Sequence, residues 1–262
     1  LRGKSLRGKE SVCYGTKQGR KVQKRKKLEV CYLCNNLSHS ARMNEKMTAL
    51  IETSTPLGSV GVFDGAWRGA EFTSDRSHNC AIFGPWEEIS ASVAPGDIGC
   101  IVVGTGPGSY SGTRVGIAVA QGLAIAHGCS LVGLPSILAT PMARSTPKCR
   151  AIGDARRGDW WWCEIEGGKC FAEPQMGSKE ELMALLADEV PTFSLDEIPE
   201  EQLGRGILRE QPTAELLWQA WDNLTVQEKE RVGAQVVQPV YLKPPHITLA
   251  KVGHPLFRGG KS

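Results

Sequence analysis

No apolar run in the 262 residues approaches the ~18 positions of a membrane-spanning helix. That excludes a bilayer-embedded body and leads us to expect a protein free in the cytoplasm. No segment recurs at a fixed period, which excludes solenoids and propellers. Histidine is scarce: five occur, and His78, His127, His246 and His254 have no Cys or acidic neighbour at the spacing of a metal site or catalytic triad. A protease reading has no constellation to rest on. The nine cysteines are odd in number and irregularly spaced, and Cys100, Cys129 and Cys163 sit in apolar strands. This argues against a disulfide scaffold and for a reducing compartment.

Charge is unevenly distributed. Residues 1–46 hold 13 Lys and Arg against 3 acidic residues, a net of +10, whereas the remainder holds 18 against 25, a net of −7. The chain therefore reads as an appendage and a body. The appendage, with its cluster Lys24, Arg25, Lys26 and Lys27, has too few large apolar residues to build a core. It is expected to be a disordered leader, or sequence translated ahead of a start at Met43 or Met47; the alternative is a nucleic-acid or targeting arm. Cys31 and Cys34, with His39 and Cys13 nearby, supply four candidate zinc ligands without a second tight pair, so inert thiols remain the competing reading. An acidic body is poorly suited to bind tRNA phosphates by bulk charge, and a basic protein partner suits it better.

From Met47 onward, short apolar runs separated by Pro and Gly turns predict three antiparallel strands, 48–53, 59–63 and 68–73. A helix over 79–92 follows, with Ile82, Phe83, Trp86 and Ile89 on one face. Residues 100–104 form a continuous apolar strand of the kind buried on both faces. A glycine-rich loop over 104–112, a helix to His127 and a strand over 130–133 then make a parallel β-loop-α-β unit, so the sheet is mixed. Farther on, strands are expected at 151–154, 159–166 and 169–172, and helices at 179–186 and 214–221. We place a first lobe at 47–147, a second at 148–250 and a flexible tail at 251–262.

The loop VGTGPGSYSGTRVG, residues 103–116, carries most of the functional information. Glycines between a buried strand and a helix start permit positive φ and close backbone approach, and free N–H groups at the helix terminus can hold an anion. The loop nevertheless fails the dinucleotide fingerprint at Ser109 and Ser111, has no P-loop lysine, and carries Tyr110 in the nucleophile slot of G-x-S-x-G. A tight strand-to-helix connection explains it equally well. Beyond it, Gly112, Gly116, Ala120, Ala124 and Gly128 recur every fourth residue, with Val115, Val119 and Leu123 alongside. Such a ridge of small side chains packs either on the protein's own sheet or against a partner helix. Glu52 at the end of the first strand could hold a metal-bound phosphate or simply be solvated. Asp154, Arg156, Arg157 and Asp159 form a charged turn that could meet phosphate or be a plain β-turn.

Residues 50–60 (LIETSTPLGSV), 106–116 (GPGSYSGTRVG), 154–158 (DARRG) and 239–243 (PVYLK) together resemble the successive signatures of the TsaB, or YeaZ, family over roughly residues 47–245. The resemblance implies an α/β, actin-like and sugar-kinase-like ATPase fold: two RNase H-like lobes with mixed sheets, the second reduced. It implies a non-catalytic subunit that pairs with the catalytic subunit TsaD. With the ATPase TsaE, that pair supports transfer of threonylcarbamoyl to N6 of adenosine 37 in tRNA. The family fold usually carries Asp where Glu52 stands, and the second half has no paired-glycine adenosine loop and no His-x-x-x-His pair. Lys243 replaces the more usual Arg, and Ser111 and Thr113 vary the loop.

On this reading Gly112, Val115, Gly116, Val119, Ala120, Leu123, Ile82 and Trp86 form the partner interface, and the same face pairs with itself when the chain is alone. No cofactor of its own is expected, ATP or ADP is a candidate at the partner interface, and tRNA is reached only through the complex. The competing reading is an ATP-dependent phosphotransferase or ATPase, with Glu52 on a metal and Thr53, Gly106, Gly108, Ser109 and Arg114 as phosphate contacts.

Overall fold

The computed structural model describes residues 46–73, 81–170 and 172–242. The zinc candidates Cys13, Cys31, Cys34 and His39, the rest of residues 1–45 and the tail lie outside the described residues. Within them, β1 (Met47–Glu52), β2 (Leu57–Phe63) and β3 (Trp67–Thr73) form the expected antiparallel meander. Helix α1 (Phe83–Ser90) leads to β4 (Ile98–Gly104), and α2 (Tyr110–His127) leads to β5 (Ser130–Leu134). Both β4 and β5 run parallel to β1, and the order across the sheet is β3-β2-β1-β4-β5. A 3-10 turn (Ser136–Ala139) and α3 (Pro141–Ser145) lead into the second sheet.

That sheet contains β6 (Lys148–Asp154), β7 (Trp160–Glu166), β8 (Lys169–Cys170) and β9 (Gln175–Gly177). After α4 (Lys179–Leu185) come β10 (Thr192–Ser194), α5 (Glu200–Leu203) and β11 (Leu208–Arg209). Its order is β11-β10-β6-β7-β8, with β9 also on β7. Strands β6, β7 and β8 are antiparallel neighbours, and β10 and β11 continue in parallel. Both sheets thus place their first strand centrally, an antiparallel meander to one side and a parallel pair to the other. This is the expected two-lobe arrangement of mixed sheets, and in the second sheet β8 to β11 are only two or three residues long.

Alternation along the strands builds two cores. Ala49, Ile51, Ile101 and Val103 face α1 and α2, packing with Ile117, Ala120 and Ala124. Leu50, Cys100, Val102, Val132 and Leu134 face the other way, onto Leu217, Ala220 and Trp221 of α6 (Ala214–Asp222). Fully burying each large apolar side chain contributes about 1.5–3 kcal/mol. Helix α6 therefore returns to the first sheet, although chain order assigned it to the second lobe. The Ala214 N–H donates to Ser59 Oγ at 2.8 Å, and Trp218 stacks on Phe63 with ring centroids 4.0 Å apart. Next, α7 (Val226–Gly233) begins with a capping box of Thr225 and Glu228, and Glu228 also holds Lys169 at 2.7 Å.

In the second lobe the buried guanidinium of Arg150 is held by Glu164 and, through two nitrogens, by Asp188. Hydrogen bonding from Arg150 pulls the Asp188 carboxyl down to about 2. Among the described residues no helix is long and apolar enough to cross a membrane.

Candidate functional site

The end of β1 and the loop after β4 meet at the top of the first sheet. Ile51 pairs with Val103, which sets Glu52 beside Gly104. The loop then turns back over β1: Ser109 N–H donates to the Ser54 carbonyl at 2.6 Å, and Thr53 Oγ1 donates to the Gly112 carbonyl at 2.8 Å. Ser109 caps α2, its Oγ accepting from Gly112 N–H at 3.2 Å. On the other side Gly106 N–H donates to Ser136 Oγ at 3.0 Å, and Ser136 N–H donates to the Gly106 carbonyl at 2.8 Å. A Cβ at Gly108 would overlap the Ser54 carbonyl, so the close approach there requires glycine. The amides of Gly106 and Ser109, which a phosphate would need, are already engaged.

Glu52 is 0% exposed. Its Oε1 accepts from Ser54 N–H at 2.7 Å, while Oε2 has no hydrogen-bond partner. A Cβ at Gly104 would overlap that unpartnered oxygen and crowd Ser136 Oγ. Burial pushes the carboxyl above its ordinary value, against the weaker opposing effect of the Ser54 amide and the nearby hydroxyls. Ser54 Oγ and Thr113 Oγ1 are likewise buried without partners. Asp154 occupies the equivalent place in the second lobe, at the end of the central strand β6, and its surroundings are open. It accepts from Arg156 N–H at 2.6 Å, and Arg156 and Arg157 both have left-handed backbones, φ 67° and 62°.

Between the two strand ends lies a cleft of about 610 Å³ lined by Thr53, Ser54, Ser109, Asp154, Arg156 and Asp196, among others. Of the phosphate candidates, Thr53, Gly108 and Ser109 reach this cleft, whereas Glu52 does not line it. Arg114 lies elsewhere, in a cavity of about 340 Å³ with Gly106 and Gly108. Its guanidinium donates to Tyr241 Oη at 2.6 Å and sits 4.0 Å from the centre of the Tyr110 ring. The Val240 N–H donates to the Thr105 carbonyl at 2.9 Å. The PVYL segment is thus a strap across the glycine loop. Sequence reasoning missed Ser136 and Asp196, and it marked residues 239–243 as a family signature without placing them on the loop: Ser136 bonds Gly106 30 positions away, and the strap meets Thr105 from the far end of the chain.

The small-residue ridge requires a correction. Gly116 and Ala120 are buried, and Ala124 nearly so, against their own sheet. A Cβ at Gly112 would overlap the Thr53 carbonyl, and one at Gly116 would overlap Thr53 Oγ1. The ridge seats α2 on β1 and is not turned outward. Val115, Val119 and Leu123 are half-buried at its flank. Ile82 and Trp86 are also core residues, while Phe83, expected on their face, is 49% exposed. The expected helix over 79–92 is shorter, and its residues 79 and 80 lie outside the described residues. The surface α2 does present includes Tyr110, Arg114, Ala118, Gln121, Gly122 and Ile125, with no acidic side chain and Ile125 83% exposed.

The family model of TsaD, tRNA N6-adenosine threonylcarbamoyltransferase, matches residues 76–194, which include the glycine loop, α2 and the central strands of the second sheet. The structure titled YeaZ from Pseudomonas aeruginosa superimposes with a TM-score of 0.59 at 22% identity, covering 75% of this chain and 100% of that one. The chain has the YeaZ fold. A second structure, an uncharacterized protein from Pseudomonas aeruginosa with similarity to peptidase YEAZ, matches with the same score and identity over 76% of this chain and 100% of that one. Sequence comparison with curated proteins finds no match. The fold of these neighbours agrees with the resemblance to the YeaZ family read from the sequence motifs. The YeaZ-like lobes set Glu52 and Asp154 at corresponding strand ends, one sealed and one facing the cleft.

Proposed function

We propose that this chain is the non-catalytic docking subunit of a tRNA threonylcarbamoylation system, acting through a TsaD-like catalytic subunit. The YeaZ fold and the TsaD family match support the coarser reading, a role in forming N6-threonylcarbamoyladenosine in tRNA. The observation that carries the finer one is the condition of Glu52. One carboxyl oxygen accepts from the Ser54 amide and the other lies against Gly104, and the fully buried group has no side open to a hydrated cation. Burial favours its neutral form, the reverse of what a metal ligand needs.

The docking surface in this proposal is the outward face of α2. An exposed, acid-free stripe around Ala118, Gly122 and Ile125, flanked by Val115, Val119 and Leu123, loses little by desolvation and gains by burial. Together with neighbouring surface it would contribute to an interface of standard size, ~1,600 Å² in total. In the absence of the partner the same face pairs two copies of this chain. A TsaE-like ATPase joins the complex, tRNA is reached only through it, ATP or ADP binds at the partner interface, and the assembly works in the cytoplasm. Ile125→Asp and Ala118→Glu each place a charge on this face without entering the core. Both are expected to keep the wild-type melting curve and to lose co-purification with the TsaD-like subunit; retained co-purification in a folded variant would refute the surface.

A second reading, an ATP-dependent phosphotransferase, draws support from the cleft of about 610 Å³ with Asp154 and Asp196 on its wall. ATP turnover by the purified chain, lost on Asp154→Ala, would favour it.

A further inference from the structure

Outside the cleft, sulfur is concentrated at one point of the second lobe. Cys163 on β7 and Cys170 on β8 lie on adjacent antiparallel strands. Ile165 pairs with Cys170, so Cys163 falls two positions along on the same face. Their sulfurs are 3.5 Å apart. A disulfide needs ~2.05 Å, so the sulfurs must approach by roughly 1.5 Å. Strand β8 is a two-residue edge strand paired only with β7 in its sheet, and a short edge segment adjusts more readily than a central strand. Both cysteines line a cavity of about 810 Å³, which gives a small solute a route to Cys163 although that residue is only 4% exposed.

We propose that Cys163 and Cys170 are a peroxide-reactive dithiol, a modification site that closes to an intramolecular disulfide. The Cys163 thiolate attacks one oxygen of a hydroperoxide, breaking the O–O bond. This forms a sulfenic acid on Cys163 and releases water, or the alcohol of an organic peroxide, after protonation. The Cys170 sulfur then attacks the Cys163 sulfur and expels the sulfenic hydroxyl as water, taking up the proton that Cys170 releases. Two thiols lose two electrons in all, and the peroxide gains them.

The division of roles follows from the surroundings. Hydrogen bonding between the two sulfurs holds the Cys163 thiol below its ordinary value and pushes Cys170 up. The other described cysteines lack this support: burial pushes Cys100 up to about 11 and raises Cys129 and Cys149. The Arg144 guanidinium, whose Nη2 donates to the Gly168 carbonyl and whose buried Nε has no partner, favours the Cys170 thiolate during the second step. Among the described residues no three His, Cys, Asp or Glu side chains are placed to hold a metal ion, so the pair is better suited to redox chemistry than to ligation. A disulfide of this kind is compatible with a reducing compartment, where such bonds are transient.

The test uses the full chain, reduced and freed of reductant, then treated with equimolar hydrogen peroxide, denatured, alkylated and digested with trypsin. Cleavage after Lys169 separates the two cysteines. The expected product is one cross-linked species carrying both, cleaved by dithiothreitol, with Cys100, Cys129 and Cys149 still alkylated. Dimedone is expected to label Cys163 in the Cys170→Ser variant and to leave Cys170 unlabelled in Cys163→Ser. Alkylation of Cys163 and Cys170 to the same extent as Cys100, or a cross-link to Cys149 instead, would overturn the proposal. The wild-type peptide map decides the question even if a variant fails to fold.

Discussion

Gly116→Leu is expected to destabilise the fold severely. The glycine faces β1, and even its first added carbon would overlap Thr53 Oγ1 and press on Ile51. A leucine there would force α2 off the sheet that Ile117, Ala120 and Ala124 help to cover. Overpacking a well-filled core costs about 1–3 kcal/mol, and occasionally more. This site adds loss of the Thr53 to Gly112 hydrogen bond and separation of the glycine loop from Ser54. The loss is expected to exceed about 3 kcal/mol. A control lies in the same helix: a Cβ at Gly122 meets nothing within 4 Å. Gly122→Ala is expected to raise stability by about 0.5–1 kcal/mol through helix propensity alone. Urea unfolding of the two variants measures both signs; a soluble, normally melting Gly116→Leu would mean that the ridge does not seat the helix.

Glu52→Gln is expected to stabilise the protein at neutral pH and leave its acid behaviour nearly unchanged. The native carboxyl is held above its ordinary value of 4.5, chiefly by burial. Well below 4.5 both folded and unfolded forms are protonated and this residue exerts no pH-dependent effect. As pH rises from there toward the raised folded value, the folded state binds more protons than the unfolded one, and stability falls. An amide removes that ionisation and can donate to the neighbourhood of Ser136. Relieving a buried unsatisfied polar group is worth about 1–3 kcal/mol, and each kcal/mol moves the melting midpoint by roughly 2–4 °C in a chain of this size. Thermal melts at pH 4 and pH 8 would show the difference; a variant destabilised at pH 8 would indicate that the carboxylate serves the folded state in its charged form.

How far the sequence disclosed these features depended on local periodicity. Strands β1, β2, β4 and β5 were visible because they are apolar runs bounded by turns, and the glycine loop announced a strand-to-helix turn. Strands β9, β10 and β11, of two or three residues each, contain no period to read. The orientation of α2 was hidden for another reason: it is small or apolar on both sides. Gly112, Gly116 and Ala120 lie on one side and Ala118, Gly122 and Ile125 on the other, so amphipathicity could not choose between them. The sheet chose the glycine side because it alone lets α2 approach Thr53. Glu52 drew attention as a strand-end acid, but whether it was solvated or sealed depended on Gly104 and Ser136, which only the fold brings to it.

The most direct measurement is reconstitution of threonylcarbamoyl transfer to tRNA from purified components. The account predicts that a TsaD-like subunit and a TsaE-like ATPase require this chain for transfer. It also predicts that Glu52→Gln supports transfer as well as wild type, that folded Ile125→Asp does not, and that the chain alone turns over no ATP. Transfer that proceeds equally without the chain, or ATP turnover by the isolated chain that disappears in Glu52→Gln, would contradict it.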